Sequence, residues 1–195
     1  KLCEEAIPTI VKPSEIQRVL LNLLREGVPV RDMETIVETL ADWAPRSKDL
    51  EILTEYTRNA LRRAICEQHA VMRDGVPTLV CVTLDPAFED QVSAYVERGT
   101  SGTTVSMPAR IAADFAGKVA AALRPVLDAG HAPLVLASPQ VRGPIWQMLE
   151  AHIMGVAVLG YNEIVSGVEI ESLGLVTLQS PAAEEPSPPE PAAVA

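Results

Sequence analysis

The chain has 195 residues, 48% of them hydrophobic and only 4% aromatic, and a formal net charge of −10. That length and apolar content can bury a sizeable core in one or two small domains, filled mainly by Ala, Val, Leu and Ile. Residues 1–73 hold 11 basic and 12 acidic groups whereas residues 143–195 hold 7 Glu and no Lys or Arg, the wrong sign for a general nucleic-acid binder.

A lead-in over residues 1–13 is interrupted by Pro8 and Pro13, and its Ile7, Ile10 and Val11 can pack on the first helix. Ser14-Glu15-Ile16-Gln17 reads as a capping box, the Ser14 oxygen taking the Gln17 N–H and the Gln17 side chain reaching back. Ile16, Val19, Leu20, Leu23 and Leu24 then make one stripe with a period of about 3.6 residues, and Gly27 can close the helix in the left-handed conformation. Pro29 suits the first turn of a second helix, with Met33, Ile36, Val37, Leu40, Ala41 and Ala44 inward and Pro45 as its stop. Ser47 and Asp49 offer N-caps to a third helix running to about His69. Its inner face is Leu50, Leu53, Tyr56, Ala60, Leu61, Ala64 and Ile65; its outer face carries Arg58, Arg62, Arg63 and Glu67.

The period changes at Gly75, which sets the joint between the two halves at Arg73-Asp74-Gly75. Thr78 to Leu84 is a buried strand, and Asp85-Pro86 opens a helix to about Arg98, followed by a loop at Gly99-Thr100-Ser101-Gly102. Pro108 opens another helix reaching Gly130, weakened by Gly117 and Pro125. Pro133 to Ala137 is a second strand. Ser138 caps a helix with Pro139 in its first turn, and Val156 to Tyr161 is a third strand. Glu169 to Leu178 holds one or two short strands. The class predicted is mixed α/β: an all-helical subdomain over 1–73, an α/β subdomain over 74–180, and an acidic, Pro-rich tail over 181–195. The tail has five prolines, three glutamates and too little apolar surface to fold, so it is expected to be disordered.

No motif carries chemistry. Cys3, Cys66 and Cys81 lack CxxC spacing and read as reduced thiols of a cytosolic protein, not as a disulfide framework or zinc site. No stretch approaches the roughly 18 uncharged apolar residues of a membrane span. The start at Lys1, without Met or signal peptide, reads as a cut point inside a longer protein. Ser138 sits between strand and helix, but as Ala-Ser-Pro-Gln-Val and not G-x-S-x-G, with no base nearby in sequence; it reads as an N-cap. His69, His131 and His152 have no ligand spacing, and neither phosphate-loop nor dinucleotide fingerprint occurs. No catalytic, cofactor or metal residue is therefore assigned. Two other classes stay open at this level: a small α/β enzyme with a helical cap around Ser138, and a helical DNA-binding regulator fused to a sensor. The first lacks a base, and the second lacks a basic recognition helix.

Longer words go further. Ser14 to Leu20, then Leu23-Leu24-Arg25-Glu26-Gly27-Val28-Pro29-Val30-Arg31-Asp32, Glu34 to Asp42 and Ala44 to Asp49 are joined by Leu53-Thr54-Glu55-Tyr56 with Arg58, Leu61 and Arg62. Distal landmarks are Leu84-Asp85-Pro86, Ser138-Pro139-Gln140-Val141-Arg142 and Val158 to Ile164. Over about residues 10–178 the chain resembles the type III secretion export gate family, with its flagellar and virulence-injectisome branches. The resemblance implies a multi-pass membrane region upstream and a cytoplasmic region of four subdomains. This chain matches the last two, all-helical and then a thioredoxin-like variant. It implies a ring, usually nonameric, on the cytoplasmic side of the bacterial inner membrane, receiving chaperone–substrate complexes and meeting other export apparatus proteins. It implies no enzymatic turnover, no cofactor, no nucleic acid, and membrane contact only through the upstream region. The family's chaperone pocket lies between the two upstream subdomains, so no residue here inherits it. Residues 99–107 depart from the family's more apolar stretch, and Tyr161-Asn162-Glu163-Ile164 leans flagellar. Mixed charge over residues 46–67 can pair with a neighbour's opposite sign, which makes Arg46, Lys48, Asp49, Arg58, Arg62 and Arg63 the protein-interface candidates.

Overall fold

Helix α1 (Pro13–Arg25) begins two residues earlier than a Ser14–Gln17 box requires. Pro13 takes the first helical position, where its missing N–H costs nothing, and Glu15 rather than Gln17 closes back, accepting the Lys12 N–H at 2.9 Å. Gly27 ends the helix at φ 71°, with its N–H on the Leu24 carbonyl and that of Val28 on Leu23. Helix α2 (Met33–Trp43) is capped by Asp32, so Pro29 belongs to the connector and not to a first turn. The long third helix divides at Leu61 into α3 (Leu50–Ala60), capped by Asp49, and α4 (Arg62–His69). Its buried face is also rotated. Thr54, Thr57 and Arg58 are buried with Leu53, whereas Tyr56 and Ala60 are exposed.

The computed structural model describes residues 11–99 and 102–178; the expected tail at 181–195 and most of the lead-in lie outside them. The described chain is mixed α/β, with seven α-helices. Asp74 and Gly75 both adopt positive φ, 50° and 84°, the signature of the two-residue turn that joins antiparallel strands. They link β1 (Val71–Arg73) to β2 (Val76–Leu84), a hairpin that periodicity does not predict. Helix α5 (Pro86–Ser93) stops before residue 98. The following stretch pairs β3 (Val96–Gly99) with β4 (Gly102–Val105) where helix end and loop were expected. Helix α6 (Ala109–Asp128), β5 (Leu134–Ala137), α7 (Arg142–Leu149), β6 (Ala157–Gly160), a short 3₁₀ turn (Tyr161–Glu163) and β7 (Glu169–Val176) complete the order.

Strands β2, β5, β6 and β7 run parallel, in the order β7-β2-β5-β6. The first residues of β2 pair instead with antiparallel β1, on the edge that later meets β5. Because strand side chains alternate, β2 feeds two cores. Val80, Val82 and Leu84 join Phe88, Phe115, Val119 and Ile145 of α5, α6 and α7. Leu79 and Cys81, with Leu134, Leu136 and Leu159, join Val19, Leu23, Ile36, Leu40, Leu53 and Ile65 of the helical half. The sheet is thus sandwiched between the two helical layers. Gly174, at a bulge in the β2–β7 pairing, lets α6 approach: a Cβ there would lie 3.0 Å from the Ala122 carbonyl oxygen.

Candidate functional site

The interface candidates do not form one face. Arg46, Lys48, Arg62 and Arg63 are exposed, and Asp49 is half-buried. Arg46 lies over the Trp43 ring, 5.0 Å from its centroid, and Trp43 stacks on Tyr56 with centroids 3.7 Å apart. The Asp49 carboxylate accepts the Glu51 and Ile52 N–H groups at 2.9 and 3.4 Å, so its first role is to cap α3. Arg62 donates to the Asn59 side chain at 3.1 Å.

Arg58, read as part of the outer face, is only 2% exposed. An arginine stays charged in a core only if carboxylates meet it there, and two do, from far along the chain. Its Nε and Nη2 donate to the two oxygens of Glu163 at 2.8 and 3.0 Å, and its Nη1 to Glu26 at 2.9 Å. Arg142, 1% exposed, opens α7 beside it. Its Nε donates to Glu55 Oε2 at 2.9 Å, and its Nη groups reach Glu26 and Glu55. Glu26 therefore bridges both guanidiniums. Two arginines and three carboxylates leave one surplus negative charge, and Glu55 is the carboxylate nearest solvent.

This cluster also seals the sheet. The Ala157 N–H bonds to Pro133 on the β5 side, so Val158 and Gly160 present their backbone groups on the outer edge of β6. The Val158 carbonyl accepts from Arg58 and Arg142, both at 3.3 Å, and the Gly160 N–H donates to Glu163 at 2.7 Å. An open strand edge is thereby closed by side chains from both halves of the chain. A Cβ at Gly160 would meet the Asn162 side-chain oxygen, so a larger residue there would turn that exposed side chain aside.

The electrostatics follow the geometry. Burial by itself lowers the affinity of Arg142 for its proton, and the Glu55 and Glu26 carboxylates more than reverse this, holding the guanidinium firmly charged. Glu51, one turn before Glu55, has its carboxyl pushed up by burial and then by the Glu26 and Glu55 charges. His69 is pushed down by burial and by Arg58. Desolvation pushes the Cys81 thiol up to about 12 and also raises Cys66, so neither buried thiol is activated.

Ser138 is not the cap of a helix opening at Pro139, because α7 starts at Arg142. The structure does bring an acid to it, Glu89 of α5. The Ser138 hydroxyl and N–H both donate to that carboxylate, the latter at 2.7 Å, tying α5 to the end of β5. No group of three or more potential metal ligands forms among the described residues. No described helix is long and apolar enough to cross a membrane. What the arrangement does chemically is fasten: it fixes the pose of the helical layer on the sheet. Helical periodicity alone missed Arg58 and Arg142. Yet Glu26, Glu55, Arg58, Arg142 and Glu163 all lie inside the landmark words, and that clustering was the available signal.

The sequence profile of the FHIPEP family matches residues 1–169. The flagellar biosynthesis protein FlhA of Bacillus subtilis (strain 168) is 34% identical over 177 residues, covering 91% of this chain and 26% of that protein. The solved structure of Shigella flexneri MxiA superposes with a TM-score of 0.75 at 28% identity, covering 90% of this chain and 53% of that one. The nonameric EscV cytosolic domain from the type III secretion system gives 0.69 at 28% identity, covering 90% and 50%. The chain thus spans about a quarter of the length of the curated relatives it matches and about half of the solved chains. With its landmark words gathered into one buried cluster and its fold shared with these proteins, the chain belongs to the FHIPEP family of type III secretion export gate proteins, in their C-terminal cytoplasmic domain.

Proposed function

We propose that this chain is the docking and ring-forming part of a type III protein export gate subunit, and not an enzyme. It would sit at the cytoplasmic side of the bacterial inner membrane, anchored through an upstream region. The observation that carries this reading is the family match over residues 1–169, continuous through both halves of the fold. The ion cluster supports it: Arg58 and Arg142 tie Glu26 and Glu55 of the helical half to Glu163 and the Val158 carbonyl of the other, so both layers would move as one unit in contact with a neighbour. The nonameric EscV assembly supports a ring of the same kind here. In this reading the ring receives chaperone–substrate complexes and contacts other export apparatus proteins, and the exposed Arg46, Lys48, Arg62 and Arg63 supply lateral or docking contacts. Exposed pairs contribute only about 0–1 kcal/mol each, so assembly of this part alone is expected to be weak and salt-sensitive. The thioredoxin-like variant implied by the family resemblance is retained for residues 74–180, supported by four parallel strands with α5, α6 and α7 on one face.

The system served is read as flagellar, on the Tyr161-Asn162-Glu163-Ile164 wording and the FlhA likeness. The MxiA and EscV likenesses favour the injectisome as a second reading. A photo-activated cross-linker at Arg46 or Arg62 of the full-length protein tests the proposal. Homomultimer ladders and adducts with export chaperones are expected. Monomer alone at both positions, with wild-type export, would remove these residues from any interface. Arg58→Glu is unsuitable here, since it would test folding.

A further inference from the structure

A cleft of about 800 Å3 opens between the outer side of α3–α4 and the loop before β7. Arg62 and Arg63 line it, with Asn59, Asn162 and Ser166; Glu67 is the one carboxylate among its lining residues. Arg62 meets only the neutral Asn59, and Arg63 has no hydrogen-bond or ion-pair partner among the described residues. Two adjacent, uncompensated guanidiniums beside amide and hydroxyl groups make a receptor for a carboxylate on an extended peptide. We propose that this cleft is an acidic-peptide site and that its occupant is the chain's own segment Pro181–Ala195, seated through Glu190. This does not rest on the export reading.

Two observations choose this occupant. The first is charge: residues 181–195 carry Glu184, Glu185 and Glu190 and no Lys or Arg. Their five prolines also lessen the entropy lost when such a peptide is held extended. The second is reach. The described residues end at Leu178, two positions past β7, and its carbonyl accepts the Lys118 ammonium at 2.8 Å. The cleft lies at the other end of β7, whose eight residues span about 26 Å. Twelve residues separate Leu178 from Glu190, about 40 Å when extended, while Glu184 reaches only about 20 Å. Glu190 can therefore return to the cleft of its own copy and Glu184 falls short. A tail seated there occupies two of the exposed interface cations and competes with any acidic partner for them.

The test uses a fluorescein-labelled synthetic peptide of residues 181–195 and the full chain carrying Glu184→Gln, Glu185→Gln and Glu190→Gln, so that its own tail no longer competes. Fluorescence anisotropy at low ionic strength is expected to show saturable binding. Adding Arg62→Gln and Arg63→Gln should weaken it at least about fivefold, with the thermal melt unchanged. The unmodified chain should bind the peptide at least about fivefold more weakly than the triple variant, because its tail already holds the cleft. Absence of saturation, or binding indifferent to the arginine pair, overturns the site. Equal binding by unmodified and triple-variant chains overturns the occupant.

Discussion

Replacing Arg58 with Met keeps most of the side chain's apolar stem and deletes its charge. The change takes both guanidinium hydrogen bonds from Glu163, which is 2% exposed and is left with the Gly160 N–H at 2.7 Å. Glu26 keeps Arg142, so one carboxylate is stranded rather than two. The Val158 carbonyl likewise keeps Arg142 at 3.3 Å. Breaking a buried pair from one side costs about 3–5 kcal/mol, against a total domain stability of only about 5–15 kcal/mol. Removing both partners, Arg58→Met with Glu163→Leu, leaves no orphaned charge and should recover about half of that loss; the unpaired Gly160 N–H keeps it from recovering all. Urea unfolding followed by far-UV circular dichroism gives each variant's stability, and the double-mutant cycle isolates the coupling. The exposed Arg62→Met serves as control and should stay within about 0.5 kcal/mol of wild type. An Arg58→Met loss below about 1 kcal/mol, or a double variant no better than the worse single one, would refute the argument that this cluster fastens the two layers.

Glu51 has its folded-state carboxyl raised by burial first and by Glu26 and Glu55 next, so the wild type gains stability as pH falls from the raised value toward the ordinary 4.5. Glu51→Gln should therefore be the more stable protein at pH 7.5, with the advantage shrinking as pH falls toward 4.5, as denaturant midpoints will tell. Gly174→Ala places a methyl 3.0 Å from the Ala122 backbone oxygen and should cost about 1–3 kcal/mol in urea unfolding; a neutral result would mean that α6 moves away freely. Cys81 is fully buried with its thiol raised to about 12, so iodoacetamide at pH 8 should leave it unmodified in the native protein and label it in urea, read by peptide mass spectrometry.

The early helices were legible because their apolar stripes and stop signals are local: Gly27 and Asp49 act where the sequence placed them. Pro29 misled because the Asp32 side chain outcompetes it as a helix start. The third helix was misread for a deeper reason. Periodicity sorts polar residues outward, so it sends Arg58 to solvent and Tyr56 to the core. The partner that makes a buried Arg58 tolerable, Glu163, lies 105 residues away. The same holds for Ser138, whose acid Glu89 arrives from 49 residues upstream through packing of α5 on the sheet. The β1–β2 hairpin was written in Asp74-Gly75, but three residues of β1 are too few to show alternation. The β3–β4 pairing is hidden because it matches Glu97 with Thr104 and Gly99 with Gly102, residues that carry no apolar alternation. The five-residue ion cluster is invisible to any windowed pattern and visible only as the set of words that marks the family.

Deleting the codons for residues 11–178 from the chromosomal gene, and measuring substrate proteins in the culture medium, tests the export role most directly. Secretion is expected to stop while the shortened protein is still found in the membrane fraction at normal level, and the identity of the lost substrates, flagellar or injectisome, decides the system. Undiminished secretion from that strain would contradict it.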